Sequence, residues 1–305
     1  MNYITAKTIL TPVNYSSKWF GIDYTMNLYR GCNHGCIYCD SRRNIYNITD
    51  FDTVQIKKDA ISILRNNGQI PVLLTVTILR NELRHNKKGI IGNGAMSDPY
   101  NILDEKYELT RKSLELIEKY NYGIFITTKN NLIIRDMDVL KRIKNKLISI
   151  TITTPNDKLA SIIEPNVSVS SKRFKAMKKL NENNIPCGIM LLPVLPFITD
   201  KTNDIKKLIK LAYKNHARFI YPSSMGMTLS ENQRTYFYKK LDESFPNLKE
   251  KYRKIYNDNY TCTTRNYELY DVFKQKCDDY GILYKMSDII KIYRKDTDKQ
   301  STLFK

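Results

Sequence analysis

The sequence contains no apolar run long enough to cross a membrane. Its longest apolar stretch, residues 185–198 (IPCGIMLLPVLPFI), falls short of the roughly 20 residues that a spanning helix needs and is interrupted by Pro193 and Pro196. The first ten residues, MNYITAKTIL, lack the basic start and apolar core of a secretory signal. We therefore expect a cytoplasmic protein. We also expect it to be folded, because a hydrophobic fraction of 42% and a charged fraction of 27% are ordinary for globular chains.

Acidic residues are scarce relative to basic ones. The chain has 31 Asp and Glu against 50 Lys and Arg, a formal net charge of +19, which favours an acidic partner such as nucleic acid through counterion release. The basic residues are spread along the chain without a solid polybasic block. The joint abundance of Lys, Asn, Ile and Tyr is also typical of an AT-rich coding sequence, so the charge alone indicates the partner only weakly.

No internal repeat is visible, and short apolar strands instead alternate with amphipathic helices, as in the βα units of a parallel sheet. The predicted strands are 24–30, 89–92, 123–128, 147–153, 187–194 and 217–221. Helices are predicted over 107–120 and 171–184, the second with a serine as N-cap. The run PVLLTVTILRNEL from Pro71 fits a helix or a strand, and we predict a helix.

The chain after Pro222 has a different composition. It contains Tyr-rich helical stretches at 231–245 and 267–280 and a polar tail from Lys291. We therefore predict an α/β fold with one barrel-like domain over 24–225, an N-terminal extension over 1–23 and a helical C-terminal extension with a tail over 226–305.

Three of the six cysteines lie in one loop, at Cys32, Cys36 and Cys39. The loop, GCNHGCIYCD (31–40), follows the first predicted strand. In a cytosolic chain such clustering favours thiolate ligands over disulfides. Three thiolates suit a four-iron iron–sulfur cluster and leave one iron without a protein ligand. A vacant iron can chelate the amino and carboxylate groups of S-adenosylmethionine, whose sulfonium then accepts an electron and loses a C–S bond.

Two other interpretations of this loop stay open. A structural zinc ion would use the three cysteines and His34, although zinc sites usually draw their ligands from two separated segments. The protein would then be a zinc-stabilised nucleic-acid-binding module. An iron–sulfur protein that only transfers electrons is the third interpretation, and a vacant iron does not favour it.

The spacing Cys-x3-Cys-x2-Cys, with Tyr38 before the last cysteine, resembles the signature of radical S-adenosylmethionine (radical SAM) enzymes. Four further stretches are similar to the spore photoproduct lyase-related branch, which is often described as DNA repair photolyase-like. These are GNGAMSDPYN (92–101), ITTKNNLIIRDMDVL (126–140), ITTPNDKLASIIEPN (152–166) and GIMLLPVLPFITD (188–200). The resemblance covers roughly residues 20 to 300.

This resemblance implies a partial (β/α)6 TIM-like barrel, in agreement with the six predicted strands, with ligands at the carboxyl ends of the strands. It also implies a 4Fe–4S cluster on the three cysteines, reductive cleavage of S-adenosylmethionine to a 5′-deoxyadenosyl radical, and an electron donor of the flavodoxin or ferredoxin type. The residues expected at the cofactor are Tyr38 against the adenine, Gly92, Asn93 and Gly94 near the methionyl amine, Ser97 and Asp98 in the same loop, Thr153 and Thr154 at the ribose, and Arg173 at the carboxylate. The structural alternatives are loop packing for Tyr38, a simple turn for Gly92 to Gly94, a cap on the next helix for Ser97 and Asp98, and a solvated charge for Arg173.

One departure from the family pattern limits the choice of reaction. Photoproduct lyases of this branch carry a cysteine in the loop that matches 92–101, and it returns a hydrogen atom to the substrate radical; GNGAMSDPYN has none. Thymine-dimer repair is therefore not expected. Cys262 is the remaining candidate for a hydrogen donor, because Cys187 in an apolar strand and Cys277 in a predicted helix are expected to pack in the core.

The stretch QSTLF (300–304) resembles the Gln-x-x-Leu-Phe peptides by which bacterial replication and repair proteins bind the DNA sliding clamp. The alternative is a frayed end without a partner. Together, this peptide and the cysteine loop predict a radical SAM enzyme with nucleic acid as the preferred substrate class. DNA and the sliding clamp are its candidate partners, and no membrane attachment is expected.

Overall fold

A seven-stranded β-sheet forms the centre of the protein in the computed structural model, which describes residues 3–14, 19–58, 71–257 and 259–294. The sheet contains β2 (Leu10–Pro12), β3 (Tyr24–Met26), β6 (Ile90–Asn93), β7 (Gly123–Thr128), β8 (Lys146–Thr151), β9 (Cys187–Met190) and β10 (Ile220–Tyr221). Their spatial order is β10-β9-β8-β7-β6-β3-β2. Only β2 runs antiparallel to its neighbour, and the other pairs are parallel. The predicted α/β fold with a parallel sheet is confirmed.

Two smaller sheets flank the central one. The first joins β1 (Tyr3–Thr5), β5 (Gln55–Lys58) and β4 (Tyr29–Arg30), and the second pairs β11 (Gly226–Thr228) with β12 (Thr261–Thr263). The first of these sheets corrects the prediction of one strand over 24–30. The chain leaves the central sheet after Met26, and Tyr29 pairs instead with Ile56 in β5.

Helices pack against the central sheet and make up much of the C-terminal extension. They are α1 (Pro71–His85), α2 (Ile102–Tyr107), α3 (Leu109–Lys119), α4 (Met137–Arg142), α5 (Asp157–Ile163), α6 (Ser170–Glu182), α7 (Thr202–Lys214), α8 (Glu231–Ser244), α9 (Leu248–Tyr256), α10 (Leu269–Asp279) and α11 (Met286–Lys291). The helix predicted from Pro71 is confirmed, and α3 and α6 lie close to their predicted ranges. The serine N-cap is not observed: Val169 precedes α6, and the Asp157 carboxylate accepts a hydrogen bond of 2.8 Å from the backbone N–H of Ser171.

Both faces of the central sheet are buried. Along β7, Ile124 and Ile126 pack into the large core beneath the helices, whereas Phe125 points to the inner side of the sheet. This alternation follows from the two-residue period of a strand. Apolar residues on both faces are the reason that the strand is a near-continuous hydrophobic run in the sequence.

The inner side of the sheet is filled by the segment that precedes β3. The ring of Phe20 stacks on Phe125 at 4.2 Å between centroids and is fully buried. The other end of the described chain holds this segment in place, because the hydroxyl of Tyr293 donates to the carbonyl of Phe20 and Arg294 pairs with Asp23 at 3.1 Å. Residues from both ends of the described chain therefore close the inner side of the sheet.

The C-terminal extension contains β-structure that the sequence did not predict. Its helices α8 and α10 match the predicted stretches, but β11 and β12 form an antiparallel pair beside them. A separate apolar cluster joins this extension to the cysteine loop, and it includes Cys36, Ile37, Phe237 and Cys262. No helix in the described ranges is both long and apolar enough to span a bilayer.

Candidate active site

A cavity of about 490 Å³ opens at the carboxyl ends of the parallel strands. The last residues of four strands line it: Asn93 of β6, Thr128 of β7, Thr151 of β8 and Met190 of β9. The carboxyl edge is where parallel α/β sheets bind their ligands, since the loops that leave it can each contribute a side chain. The cavity reaches the surface beside Trp19 and Ser224.

Cys32, Cys36 and Cys39 all line this cavity. Their loop is fixed by backbone bonds from Cys32 N–H to the carbonyl of Phe51 at 2.7 Å and from Ile37 N–H to the carbonyl of Ile163 at 3.0 Å. Gly31 starts the loop with φ +76°, and a Cβ there would lie 2.5 Å from the carbonyl oxygen of Thr53. Only glycine tolerates this conformation and this close approach.

Burial dominates the chemistry of the three thiols. It raises the pKa of Cys32 to about 12, with the Asp98 carboxylate adding to the effect, and it also raises the pKa of Cys36 and Cys39. Buried thiols with raised pKa values stay protonated at neutral pH unless a bound cation replaces their protons. The free thiols are therefore poor nucleophiles, and a metal that bound them would have to displace their protons.

The donor set fits an iron–sulfur cluster better than a single metal ion. Among the described residues, no group of three or more His, Cys, Asp and Glu side chains is positioned around one ion. A four-iron cluster does not need such convergence, because each thiolate binds a different iron. His34, the fourth ligand of the zinc interpretation, is buried with Nδ1 3.6 Å from Asp98.

The end of β6 and the loop after it supply the second wall of the cavity through Gly92, Asn93, Gly94, Ser97 and Asp98. Gly94 has φ +104°, and a Cβ on it would lie 2.0 Å from the carbonyl oxygen of Thr127. The Asn93 side-chain Nδ2 is buried without a hydrogen-bond partner. A buried, unpaired donor in a cavity wall costs free energy unless a ligand accepts from it, so Asn93 is a candidate for a ligand contact.

Asp98 connects the loops around the cavity. Its carboxylate accepts from the Thr128 hydroxyl at 2.7 Å and from the backbone N–H groups of Lys129 at 2.7 Å and Tyr100 at 3.0 Å. The hydroxyl of Ser97 donates to the carbonyl of Gly31. Neither residue caps the next helix, since the side chain of Asn101 accepts from Leu103 N–H at the start of α2.

Lys129 is a cation in the cavity lining that the sequence analysis missed. Burial by itself lowers the pKa of Lys129, but the acidic groups around it, Cys36 first and Glu164 next, outweigh burial and leave the pKa raised. The ammonium lies 5.8 Å from the centroid of the Tyr38 ring. Lys129 therefore brings a basic side chain to the cavity wall that also holds Cys36 and Asp98.

Three predicted cofactor residues, Thr153, Thr154 and Arg173, do not line the cavity. Thr151, the last residue of β8, lines it instead. Arg173 is fully buried and pairs with Glu164 at 2.5 Å, and it also donates to the carbonyl of Thr151 at 2.9 Å. Nε and Nη1 of its guanidinium are engaged within the protein, whereas Nη2 is buried without a hydrogen-bond partner. Because Arg173 lies outside the cavity lining, its pairing with a cofactor carboxylate stays a prediction.

Tyr38 lines the cavity, and its hydroxyl is engaged within the protein. The hydroxyl donates to Glu164, the same carboxylate that pairs with Arg173. Burial, followed by the nearby Glu164 charge, raises the pKa of Tyr38 well above its ordinary value. Tyr38 is thus a neutral side chain that anchors the cysteine loop to α5 and α6.

The other three cysteines lie outside the cavity lining. Cys187 and Cys277 are fully buried in the main core, as predicted. Cys262 is also buried, in β12 opposite Met227, and only its neighbour Thr261 reaches the cavity. The structure therefore does not support Cys262 as a hydrogen donor at this site.

The C-terminal extension contributes directly to the cavity through Thr228 and Gln233. The Gln233 amide donates to the carbonyl of Tyr38 at 2.9 Å, and the Thr228 hydroxyl donates to Asp40 at 2.6 Å. The extension was predicted only as a helical addition to the barrel. It is a third wall of the site and touches the residues that flank Cys39.

A family model described as the Radical SAM superfamily matches residues 26–212 of the chain. An uncharacterized protein of Methanocaldococcus jannaschii is 27% identical over 242 residues, which cover 79% of this chain and 84% of the relative. An uncharacterized protein of Mycobacterium tuberculosis is 24% identical over 243 residues, which cover 76% of this chain and 67% of the relative.

Solved structures of spore photoproduct lyase share the fold. The lyase in complex with dinucleoside spore photoproduct superposes with a TM-score of 0.64 at 14% identity, over 89% of this chain and 76% of the lyase. A mutant lyase with bound AdoMet and dinucleoside spore photoproduct gives a TM-score of 0.63 at 14% identity, with the same coverage. At such low identity the similarity establishes the architecture alone.

Proposed function

The chain belongs to the radical SAM superfamily, and from this premise we propose that it holds a 4Fe–4S cluster on Cys32, Cys36 and Cys39 and cleaves S-adenosylmethionine reductively in the cavity at the strand ends. It is a radical SAM enzyme. The observation that carries the proposal is the placement of three thiols of one loop in the wall of a single cavity. The three cysteines would hold the cluster, which when bound would supply the electron for reductive cleavage of a sulfonium C–S bond.

The residues around the thiols suit the methionyl part of the cofactor. We propose that Asn93 Nδ2 donates to the cofactor, since it is the buried unpaired donor in the wall, and that the bare backbone at Gly92 and Gly94 allows close approach. Lys129 would pair with the cofactor carboxylate in place of Arg173, because its basic side chain lines the cavity whereas that of Arg173 does not. Ser97 and Asp98 would hold the loop in position.

A nucleic-acid substrate is the finer part of the proposal. A net charge of +19 supports it, as does the shared architecture with a lyase that was solved with a dinucleoside photoproduct. The loop over 92–101 lacks a cysteine. We therefore propose a radical modification or repair reaction on nucleic acid, other than thymine-dimer reversal by a cysteine donor.

The tail peptide QSTLF lies outside the described residues, and its binding to the DNA sliding clamp is a proposal from sequence alone. Deleting residues 300–304 should abolish capture by immobilised clamp protein and leave cofactor cleavage unchanged. An electron donor of the flavodoxin or ferredoxin type is part of the same proposal. We also propose that residues 24–225 form the catalytic domain, with flanking segments over 1–23 and 226–305.

Anaerobic reconstitution tests the central proposal. Iron and sulfide should bind to the purified chain, and a chemical reductant should then yield 5′-deoxyadenosine from S-adenosylmethionine. One zinc per chain without labile sulfide would instead support the zinc-stabilised binding module. A reducible cluster without cofactor binding would support the electron-transfer protein.

A further inference from the structure

Trp19, the only tryptophan of the chain, lines the cavity at its mouth. Its side chain is 37% exposed although it lies on a segment that is otherwise packed into the inner side of the sheet. Leaving a large aromatic partly in water forfeits burial free energy, so an exposed indole at a cavity mouth points to a ligand that covers it.

The aromatic neighbours of Trp19 fix the orientation of the indole but do not stack on its face. Phe20 and Tyr221 meet the indole edge to face, with centroids 5.2 and 5.3 Å away and interplanar angles of 79° and 88°. Among the described aromatic residues none stacks parallel on the indole. Phe20 is itself anchored on Phe125 and by the Tyr293 hydroxyl, so the indole stands on a rigid base.

The cavity has two chemically different ends. The thiols, Asn93 and Lys129 form a polar end, whereas Trp19, Ile22, Phe125, Met190 and Leu192 form an apolar wall. A flat ring with polar edges suits a site of this kind, because its faces pack on apolar side chains while its edges keep their hydrogen bonds. A nucleobase is such a ring.

A second group of aromatic and basic side chains surrounds another part of the lining. Arg43 lies over the rings of Tyr46 and Tyr260, at 5.7 and 5.2 Å from their centroids. Tyr260 is 50% exposed and precedes Thr261 of the lining, and Arg43 pairs with Asp40 of the lining at 3.4 Å. Exposed aromatics together with cations are the combination by which proteins bind single-stranded nucleic acid.

We propose that Trp19 stacks on an unpaired base of a single-stranded nucleic-acid substrate and holds that base over the polar end of the cavity. The proposal rests on the proposed function and adds the form of the substrate to it. The same chemistry would also suit the adenine of S-adenosylmethionine, so the experiment must separate the base of the substrate from the base of the cofactor.

The experiment uses the emission of Trp19 in the oxidised holoenzyme, without reductant so that the cofactor stays intact. S-adenosylmethionine is added to saturation, and then a single-stranded oligothymidylate or an abasic deoxyribose-phosphate chain of equal length. We expect the oligothymidylate to quench Trp19 further and the abasic chain to bind by charge without quenching. In anisotropy titrations with labelled oligothymidylate, Trp19→Ala should weaken binding by roughly tenfold or more and Trp19→Phe should retain most of the affinity.

Tyr213→Ala is the matched control, because Tyr213 is 53% exposed, stacks on Tyr280 and lies outside the lining. It should leave binding unchanged. Quenching that is complete with S-adenosylmethionine alone would assign the stacking to the cofactor and overturn the proposal, as would equal affinities of Trp19→Ala and the unmodified protein. If 5′-deoxyadenosine still forms in those cases, only this proposal fails; if no cluster assembles, the proposed function fails.

Discussion

The side-chain amide of Gln233 donates a hydrogen bond of 2.9 Å to the backbone carbonyl of Tyr38, across 195 residues of sequence. Its Oε1 accepts from the N–H of Ser230 at 3.2 Å, so the whole amide is engaged. The bond ends one residue before Cys39. The start of α8 therefore holds the last cysteine of the loop in place.

Replacing Gln233 with leucine should loosen the cysteine loop. The carbonyl of Tyr38 would lose its partner in a buried place, at a cost of about 1–3 kcal/mol. We expect fewer irons and sulfides per chain after reconstitution and faster loss of the cluster to a chelator. Gln275→Leu in α10 is the control, because Gln275 is exposed. Equal cluster retention in both variants would contradict a positioning role for Gln233.

The central sheet could be predicted from the sequence because each buried strand is visible as a local apolar run. Residues 123–128 form a strand with the predicted bounds, since apolar residues face buried layers on both sides. The run 24–30 was predicted as one strand and is two. Its apolar pattern continues through the point where the chain changes sheets, and periodicity does not reveal which strand will be the partner.

The three loop cysteines should differ sharply from the other three in cluster binding. Cys32→Ala, Cys36→Ala and Cys39→Ala should each reduce iron content strongly and abolish 5′-deoxyadenosine formation, because each removes one of three protein ligands. Cys187→Ala, Cys262→Ala and Cys277→Ala should retain iron and product formation, since these residues lie outside the lining. A full cluster in Cys36→Ala, measured by iron and sulfide analysis, would refute the assignment.

Gly94→Ala should damage the cofactor site more than a glycine replacement elsewhere. A Cβ at this position would lie 2.0 Å from the carbonyl oxygen of Thr127, which belongs to β7 and has little freedom to move. We expect at least tenfold weaker binding of S-adenosylmethionine, measured by equilibrium dialysis. Iron content should be largely retained, because a Cβ on Gly94 would meet Thr127 and Pro99 and not the cysteine loop.

The matched control for this prediction is Gly281→Ala. Gly281 also has a positive φ, +63°, but a Cβ there would meet nothing within 4 Å. The replacement should cost about 1–2 kcal/mol of unfolding free energy from backbone strain and leave cofactor affinity unchanged. A similar loss of affinity in both variants would show that positive φ alone is responsible and not the close approach at Gly94.

The candidate site was only partly predictable. The three cysteines are visible because their spacing is local, and Gly92 to Asp98 form one continuous stretch. Lys129 and Gln233 reach the cavity from distant parts of the chain, so no local pattern connects them with the cysteines. One sequence feature could have indicated that Lys129 lines the cavity, namely its position directly after a buried strand. Arg173 was assigned to the cofactor because the sequence did not reveal its buried partner Glu164.

Breaking the pair between Glu164 and Arg173 should destabilise the protein strongly. Both side chains are essentially excluded from solvent, and their closest atoms are 2.5 Å apart. Glu164→Ala leaves a buried guanidinium without its counter-charge and should lower the unfolding free energy by about 3–5 kcal/mol. Since Tyr38 also loses its acceptor, cluster retention should fall as well. Anaerobic urea denaturation of the apoprotein measures the first effect, and iron analysis measures the second.

A double-mutant cycle separates the charge effect from the loss of packing. Glu164→Leu combined with Arg173→Met replaces the pair by apolar groups and should recover much of the stability lost in either single variant, because no unpaired charge stays buried. Glu182→Ala is the control for a surface pair, since Lys178 and Glu182 are both about half exposed. It should change the unfolding free energy by less than about 1 kcal/mol. Additive losses at Glu164 and Arg173 would show that the two residues act independently and would contradict the anchoring of Tyr38 through a charge pair.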